Sequence, residues 1–317
     1  MEDETASQAS RVRQVSVSAE EAGQRIDNFL SRHLKGVPRS HIYRILRRGE
    51  VRVNRGRIRP RYKLRAGDTV RIPPVRLEPV RTKVPPADRL PDITGHILYQ
   101  DSRLLVLNKP AGMAVHGGSG LSFGVIEALR ALRPDAPYLE LVHRLDRETS
   151  GCLMIARRRS ALRDLHRQLR EGRVSKHYLA LVRGSVDGPR RVDAPLRKNQ
   201  IQGGERIVRV QSDGKPAATL FRPVSRHGDA MLVEAVLETG RTHQIRVHAA
   251  HMGHPLAGDG KYGDALFNRS MRAHGLRRMF LHAHMLEFAD PASGEPVNVS
   301  APLDDELKAV LDSLDSA

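Results

Sequence analysis

A nine-residue stretch, residues 143–151, brings together the side chains of this chain that are best suited to chemistry. It reads His-Arg-Leu-Asp-Arg-Glu-Thr-Ser-Gly, and an apolar run over residues 152–156 follows it. A carboxylate at the edge of a strand and flanked by cations suits a nucleophile or a general base. Asp146 is therefore a candidate catalytic residue, with His143 and Arg144 as candidate substrate contacts, although such a motif alone also fits a surface turn with a salt bridge.

A tyrosine stands in a second segment of interest. Residues 176–182 read Lys-His-Tyr-Leu-Ala-Leu-Val, and the apolar run predicts a strand that carries Tyr178. On these residues alone Tyr178 also fits an ordinary strand aromatic. Its hydroxyl could take part in proton transfer if it lay beside a reacting group.

A glycine followed by a basic residue opens a third segment, Gly-Arg-Thr-His-Gln-Ile-Arg-Val-His at residues 240–248. We expect a helix from His243 to Met252, and its free backbone N–H groups would favour an anion. We also expect Arg241 to pair with Asp146, which would lower the pKa of that carboxyl and keep it ionised as a nucleophile.

The set of segments resembles the large-subunit ribosomal RNA pseudouridine synthases. Asn108-Lys109-Pro110 and the loop over residues 254–263 add to the resemblance, which runs from about Ser18 to the C-terminal helix. It implies an isomerase that converts uridine to pseudouridine in large-subunit (23S) ribosomal RNA, with base flipping and an Asp146 nucleophile. The reaction is redox-neutral and internal to one nucleotide, so we expect no cofactor and no metal.

The resemblance also assigns roles to single residues. It implies that Tyr178 stacks on the target uracil, that Arg241 contacts the catalytic aspartate, and that Arg144 enters the space left by the flipped uridine. Gln244 and Ile245 fall in the stretch that lines the base pocket in the family. We expect Asp146, Tyr178 and Arg241 to form the catalytic set.

Basic residues crowd the segment from Arg39 to Arg71, where only Glu50 and Asp68 oppose them. One-sided charge of this density favours phosphate contact over a merely solvated face, because each neutralised phosphate releases counterions. The pattern resembles an S-four-like RNA-binding domain, in which two helices and the following strand present the RNA surface. The candidate RNA contacts are Arg39, Arg44, Arg47, Arg48 and Arg52.

The elements that must position these residues divide the chain into four parts. We expect a flexible tail over residues 1–14, the RNA-binding module over 15–74, a Pro-rich linker over 75–94, and the catalytic domain over 95–317. In the last part, consecutive strands without intervening helices predict an α+β fold with a mixed or antiparallel sheet. We expect strands within 104–108, 151–156, 178–182, 206–210, 231–237 and 281–288, and helices within 123–132, 160–169 and 304–314.

The overall composition agrees with a nucleic-acid partner. Lys and Arg number 53 against 36 Asp and Glu, a net charge of +17, which favours a polyanion without separating RNA from DNA or from an anionic membrane. No apolar stretch approaches the ~20 residues of a membrane span. The single cysteine, Cys152, excludes an intramolecular disulfide and fits a small core residue. We expect a cytoplasmic monomer that binds large-subunit ribosomal RNA and no membrane.

The sequence also fits three other functional interpretations: a serine hydrolase, a metal-binding protein and a non-catalytic ribosome-assembly protein. Gly120-Leu-Ser-Phe-Gly124 fits the serine-hydrolase pattern, but a nucleophile elbow needs an apolar strand before it, and His-Gly-Gly-Ser precedes it here. A metal could be sought among His243, His248, His251, His254, His282 and His284, but no His-Glu-x-x-His pattern occurs. A ribosome-assembly protein without catalytic activity fits the charge equally well. Against it, a carboxylate such as Asp146 would repel approaching phosphates and so should have a chemical role.

Overall fold

The computed structural model describes residues 12–34, 37, 39–75, 90, 93–117, 123–202 and 205–316. The chain divides into two compact units, Met1–Lys83 and Val84–Ala317, each with its own hydrophobic core. Most of the predicted linker and residues 1–11 of the predicted tail lie outside the described residues. The end of the predicted tail is a correction: Arg13 and Gln14 belong to a strand, where they pair with Ile72 and Arg71.

The first unit packs two helices on a small antiparallel sheet with the strand order β1-β4-β2-β3. The first helix packs one apolar face into the core, where Ile26, Phe29 and Leu30 are all fully buried. The second helix ends beside Gly49, whose positive φ of 71° suits the residue after a helix. The elements of the first unit are β1 (Arg13–Ser16), a 3-10 turn (Ala19–Glu21), α1 (Ile26–His33), α2 (Arg39–Arg48), β2 (Arg52–Val53), β3 (Gly56–Arg57) and β4 (Thr69–Ile72).

The second unit is built on a mixed sheet, as predicted. Eight strands of this sheet are hydrogen-bonded in the order β10-β13-β14-β9-β15-β8-β6-β5. In addition, β16 pairs with β15 and β7 pairs with β8. β15 and β8 run parallel, and the other neighbours are antiparallel. The strands are β5 (Ile97–Gln100), β6 (Leu104–Lys109), β7 (Glu140–Leu141), β8 (Ser150–Ala156), β9 (Ser175–Arg183), β10 (Arg190–Asp193), β11 (Leu196–Gln202), β12 (Glu205–Val210), β13 (Ala218–His227), β14 (Ala230–Leu237), β15 (Leu281–Ala289) and β16 (Pro296–Ser300).

Helices flank this sheet, and β11 and β12 form a separate two-stranded sheet. All the strands and helices predicted for this unit are present, with shifts at their ends. The predicted helix from His243 is shorter than expected and begins at Gln244, because His243 adopts a left-handed conformation. A 3-10 turn covers Thr94–His96, and the helices are α3 (Val125–Leu132), α4 (Arg159–Arg170), α5 (Gln244–His251), α6 (Ala265–Ala273) and α7 (Asp305–Asp315).

The register of the three central strands places the candidate residues near one another. Ala283 of β15 pairs with Tyr178 of β9 on one side and with Gly151 of β8 on the other. Neighbouring strands lie ~4.8 Å apart, so Tyr178 stands only two strands from the end of the Asp146 loop. Gly151 is required there: its φ is 103°, and a Cβ would lie 2.2 Å from the carbonyl oxygen of Ala283.

Candidate active site

Asp146 lies in the loop between β7 and β8, on the wall of a cavity of about 830 Å³. Its side chain is 27% exposed. The same cavity is lined by Tyr178 from β9 and by residues 237–246, which run from the end of β14 into α5. The structure therefore brings the three motifs found in the sequence to one cavity, which is large enough for a nucleobase with its sugar.

The cation that pairs with Asp146 is Arg246, and the pairing predicted for Arg241 is wrong. Nη1 of Arg246 donates to Oδ2 of Asp146 at 3.2 Å. Arg241 is exposed, lines the cavity, and donates from Nε to the backbone oxygen of Pro216 at 3.0 Å. Both arginines stand in the segment 240–248, but Arg246 lies inside α5, and the helix carries its side chain to the carboxylate.

Asp259 holds the other edge of the Arg246 guanidinium. Nε and Nη2 donate to its two carboxylate oxygens at 2.7 and 2.8 Å, a planar fork-to-fork contact. The Asp259 side chain is 1% exposed and also accepts the backbone N–H groups of Lys261 and Tyr262. Burial favours a higher pKa for Asp259, but these hydrogen bonds, led by that of Arg246, bring the pKa below its ordinary value. Asp259 is thus an ionised anchor for Arg246.

The loop that carries Asp259 is itself held tightly, and sequence reasoning assigned it no role beyond the resemblance. A Cβ at Gly258 would lie 2.1 Å from the backbone oxygen of Arg278, and one at Gly263 would lie 2.1 Å from that of Asp259. Asn268 donates to the same Asp259 oxygen at 2.9 Å. The signal in the sequence is the pair of glycines around an aspartate, Gly258-Asp259 and Tyr262-Gly263.

Tyr178 is almost completely buried, with 7% of its surface exposed, and it lines the cavity. Burial, and secondly the charge of Asp146, raise the pKa of its hydroxyl well above the ordinary value. The hydroxyl therefore keeps its proton at neutral pH. It can donate a hydrogen bond, and it can accept a proton from substrate only after passing its own to another group.

His143 secures the start of the Asp146 loop. Its Nε2 accepts the backbone N–H of Met154 in β8 at 3.0 Å. Burial, assisted by the charge of Lys176, lowers the pKa of His143 to about 4. A neutral ring that already accepts a backbone hydrogen bond fixes the loop to the strand. Its contact with RNA stays a prediction.

Lys109 secures the other end of the same loop. Its ammonium is fully buried and donates to the backbone oxygens of Pro110, Met113 and Arg147, the residue after Asp146. Burial lowers the pKa of Lys109 to about 7, while the three carbonyl acceptors favour the charged form. The Asn-Lys-Pro segment, weak evidence in the sequence, thus fixes the backbone that carries the carboxylate.

Two predicted pocket residues, Gln244 and Ile245, do line the cavity. Gln244 is 2% exposed, and its amide makes four hydrogen bonds within the protein. Nε2 donates to Ala218 and Thr219, and Oε1 accepts from Thr239 and from the backbone of Arg241. Because those bonds use the whole capacity of the amide, Gln244 shapes the wall of the cavity. Arg144 is exposed on the cavity rim.

Basic side chains also line one face of α4, which sequence reasoning did not single out. Arg163, Arg167 and Arg170 are exposed and follow one another at helical spacing. Arg167 pairs with Asp164, and Arg170 lines the cavity. These three arginines extend over ~10 Å along the helix, and the last of them, Arg170, lies at the cavity.

Four of the five arginines predicted as RNA contacts in the first unit, Arg44, Arg47, Arg48 and Arg52, are exposed. The first three share a face of α2. Arg39 begins that helix, and its side chain lies outside what the structure describes. Their contact with RNA stays a prediction.

The alternative sites concern a metal ion and a hydrolase serine. Among the described residues, no group of three or more His, Cys, Asp or Glu could hold a metal ion. His248 and His282 are buried and bonded within the protein, to Thr219 and Ala194 and to Ser150 and Ala301 respectively. The serine of the hydrolase-like segment falls outside the described residues. Within the part of the chain that is described, none of the helices is both long and apolar enough to cross a membrane.

Comparison with known proteins gives the family. Residues 103–251 match the RNA pseudouridylate synthases, and residues 24–70 match the S4 domain. A ribosomal large subunit pseudouridine synthase C from Pasteurella multocida (strain Pm70) is 57% identical over 96% of this chain and 94% of its own length. The chain belongs to the RNA pseudouridylate synthase family.

Other members of this family resemble the chain closely. The synthase C of Escherichia coli (strain K12) is 57% identical over 96% of this chain and 98% of its own length. The solved structure of human RNA pseudouridylate synthase domain containing 4 has a TM-score of 0.59 at 28% identity, covering 70% of this chain and 94% of that one. The pseudouridylate synthase match contains Asp146, Tyr178 and Arg246, whereas Asp259 lies beyond its end.

Proposed function

We propose that this protein converts specific uridines of large-subunit (23S) ribosomal RNA to pseudouridine, with Asp146 as the nucleophile. The observation that carries the proposal is one carboxylate, held by a largely buried arginine, on the wall of a cavity that Tyr178 also lines. The relatives named above, which are similar over nearly their whole length, carry this activity in their names.

The reaction breaks the bond between N1 of uracil and C1′ of the sugar, turns the base, and forms a bond between C5 and C1′. The proton on C5 is lost and N1 gains one, so atoms balance without a redox partner. Asp146 could attack C1′, attack the ring, or remove a sugar proton to give a glycal. All three routes use an ionised carboxylate, and Nη1 of Arg246 donates a hydrogen bond to the carboxylate of Asp146.

The two carboxylate oxygens of Asp146 have different surroundings. Oδ2 receives Nη1 of Arg246, whereas Oδ1 makes no hydrogen bond to a described residue. We assign the attack on substrate to Oδ1, with Oδ2 fixed by the guanidinium. An oriented carboxylate loses little entropy on reaching the reacting atom, which is how positioning increases a rate.

Tyr178 and Arg144 complete the site in this proposal. The ring of Tyr178 stacks on the uracil, and its hydroxyl relays the proton released from C5. Arg144, exposed on the rim, enters the RNA stack in place of the flipped uridine, a task that suits a planar cation. Flipping costs a few kcal/mol, which phosphate contacts offset. Arg163, Arg167 and Arg170 of α4 supply such contacts next to the cavity, and α2 supplies others.

Release of tritium tests the proposal. Large-subunit ribosomal RNA transcribed with uridine tritiated at C5 is incubated with the wild type, Asp146→Asn or Asp135→Asn. Asp135 is an exposed carboxylate and serves as the matched control. We expect release by the wild type and by Asp135→Asn, and none by Asp146→Asn. Release by all three would remove Asp146 from the nucleophile's role, and release by none would contradict the activity.

We further propose that the protein acts as a monomer in the cytoplasm, where ribosomal RNA is made and assembled. The cavity residues that the proposed reaction uses, Asp146, Arg246 and Tyr178, all come from one chain, which supports a monomer. Light scattering during size-exclusion chromatography should give a mass near 35.3 kDa. A stable mass of twice that value would contradict the monomer.

A further inference from the structure

His243 has an unusual backbone and a side chain near the catalytic carboxylate. It precedes α5 with φ 54° and ψ 23°, the left-handed region that residues other than glycine rarely enter. Such a conformation costs energy and persists where the surroundings enforce it. In this chain it places the imidazole between two polar partners, Tyr262 and Asp146.

The Tyr262 hydroxyl contacts Nδ1, the ring nitrogen of His243 that is not the one near Asp146. Its hydroxyl oxygen lies 3.0 Å from the backbone nitrogen of Val208 and 2.8 Å from Nδ1 of His243. The backbone N–H can only donate, so the hydroxyl oxygen accepts there and its own hydrogen is free for Nδ1. A hydroxyl that donates this hydrogen to Nδ1 makes Nδ1 the acceptor, and in the neutral ring the proton then lies on Nε2.

The other ring nitrogen, Nε2, faces Asp146. Nε2 of His243 lies 3.8 Å from Oδ2 of Asp146, the oxygen that also receives Arg246 at 3.2 Å. Two N–H donors from the start of α5 thus approach one carboxylate oxygen. The distance from Nε2 exceeds a hydrogen bond, and contacts of this kind often shorten once substrate is bound.

The ring is surrounded by charges of both signs. Burial lowers the pKa of His243, Asp146 and Asp259 act to raise it, and Arg246 and Lys261 act to lower it further. The net direction is downward, so the neutral ring with one N–H is the form present near neutral pH. The ring of Tyr262 also packs edge-on against His243 and lies 4.9 Å from the Arg246 guanidinium.

We propose that His243 is a positioning residue for Asp146, and that Tyr262 fixes its tautomer so that Nε2–H is directed at Oδ2. His243 and Arg246 together keep Oδ2 occupied and leave Oδ1 to react. When the carboxylate of Asp146 is regenerated at the end of the reaction, its returning charge meets both donors. The kinetic part of this inference rests on the proposed function, and the tautomer does not.

Nitrogen NMR tests the tautomer without any activity. Protein labelled with ¹⁵N-histidine is compared with His243→Gln, which identifies the His243 signals by their loss. We expect Nδ1 to show the shift of an unprotonated ring nitrogen and Nε2 that of a protonated one. Tyr262→Phe keeps the aromatic ring, removes the hydroxyl, and should shift the signals toward a mixture of tautomers. A proton on Nδ1 in the wild type would overturn the assignment.

Single-turnover kinetics test the positioning. His243→Leu should lower the rate constant of the chemical step about tenfold, the effect of losing one hydrogen bond to a charged group, with little change in RNA affinity. His243→Gln places an amide N–H near the position of Nε2 and should recover most of the rate. His251→Leu, at an exposed histidine at the end of the same helix, is the matched control and should behave as wild type.

A double-mutant cycle tests whether Tyr262 acts through His243. Tyr262→Phe should slow the wild type several-fold and should have little further effect on His243→Leu. Additive effects, or a His243→Leu variant as fast as wild type with normal melting temperature, would overturn the inference. Failure of the wild type to release tritium would instead contradict the proposed function and leave the NMR result standing.

Discussion

Arg246 and the arginines of α2 carry the same charge in opposite surroundings. The Arg246 side chain is 12% exposed and lies between two carboxylates, whereas Arg44, Arg47 and Arg48 are exposed to solvent. The buried guanidinium has fixed hydrogen bonds and therefore a fixed direction. The exposed ones make surface contacts, to His41, to the Tyr43 backbone and to Glu50, which an RNA backbone could replace and which salt screens. The difference separates positioning of the catalytic group, which should affect the rate, from RNA attachment, which should affect affinity.

The largest effect on kcat is expected for a substitution of Arg246. Arg246→Lys keeps a cation and loses the planar fork, so it should lower kcat about 100-fold with little change in RNA affinity. Arg241→Lys, in the same segment but without contact to Asp146, is the matched control and should stay within about threefold of the wild-type kcat, a loss below the worth of one hydrogen bond to a charged group. Equal losses in the two variants would show that the ion pair with Asp146 is not what matters.

Loss of the Tyr178 hydroxyl should have the second-largest effect on kcat. Tyr178→Phe keeps the ring and the stacking surface but removes the proton relay, so kcat should fall about 100-fold or somewhat less while KM changes little. Because burial and Asp146 raise the pKa of this hydroxyl, the wild-type rate should show no rise from phenolate formation between neutral pH and pH 9. A fully active Phe variant would leave the ring with the stacking role alone.

The exposed arginines should affect affinity and its salt dependence. Replacing Arg44, Arg47, Arg48 and Arg52 by Gln should reduce the slope of log K against log salt by roughly 3, because each phosphate contact contributes ~0.7–0.9. The single-turnover rate at saturating protein should be unchanged. A control variant with the same change in charge replaces four exposed arginines of the other unit by Gln: Arg190, Arg222, Arg269 and Arg272. An unchanged salt slope in the first variant would show that these four arginines of α2 and β2 do not contact phosphates.

A smaller effect on stability is expected at His143. Its pKa in the folded protein, about 4, lies below the ordinary value of 6.5. As pH falls through this window the unfolded chain takes up the proton first, so stability is lost between pH 6.5 and 4. The melting temperature should therefore fall with acid less steeply in His143→Gln than in wild type. Parallel curves for the two proteins would mean that His143 titrates normally.

The sequence predicted the elements with strong apolar patterns and missed others, among them β13 and α6. β13 contains Pro223, and its register with β14 shifts between Pro223 and Ser225, so the strand continues past a proline through an irregularity. α6 was missed although Asp264 caps it by accepting the backbone N–H of Phe267. Polar and basic residues around Phe267 and Met271 concealed its buried face.

The sequence was sufficient to identify Asp146 and Tyr178 as candidate site residues, but it did not identify the arginine that pairs with the Asp146 carboxylate. Arg241 and Arg246 are five residues apart, and only the path of the chain before α5 decides which of them reaches Asp146. That path depends on the left-handed conformation of His243, which no propensity predicts. Asp259 comes from a separate loop, so its contact with Arg246 is tertiary.

Mapping pseudouridine in 23S ribosomal RNA would test the central claim most directly. Cells that lack this protein are supplied with the wild type or with Asp146→Asn, and pseudouridines are located by carbodiimide modification and primer extension. We predict that defined pseudouridines are absent from the deletion strain, return with the wild type, and do not return with an equal amount of Asp146→Asn. Their return with both proteins, or with neither, would contradict the account.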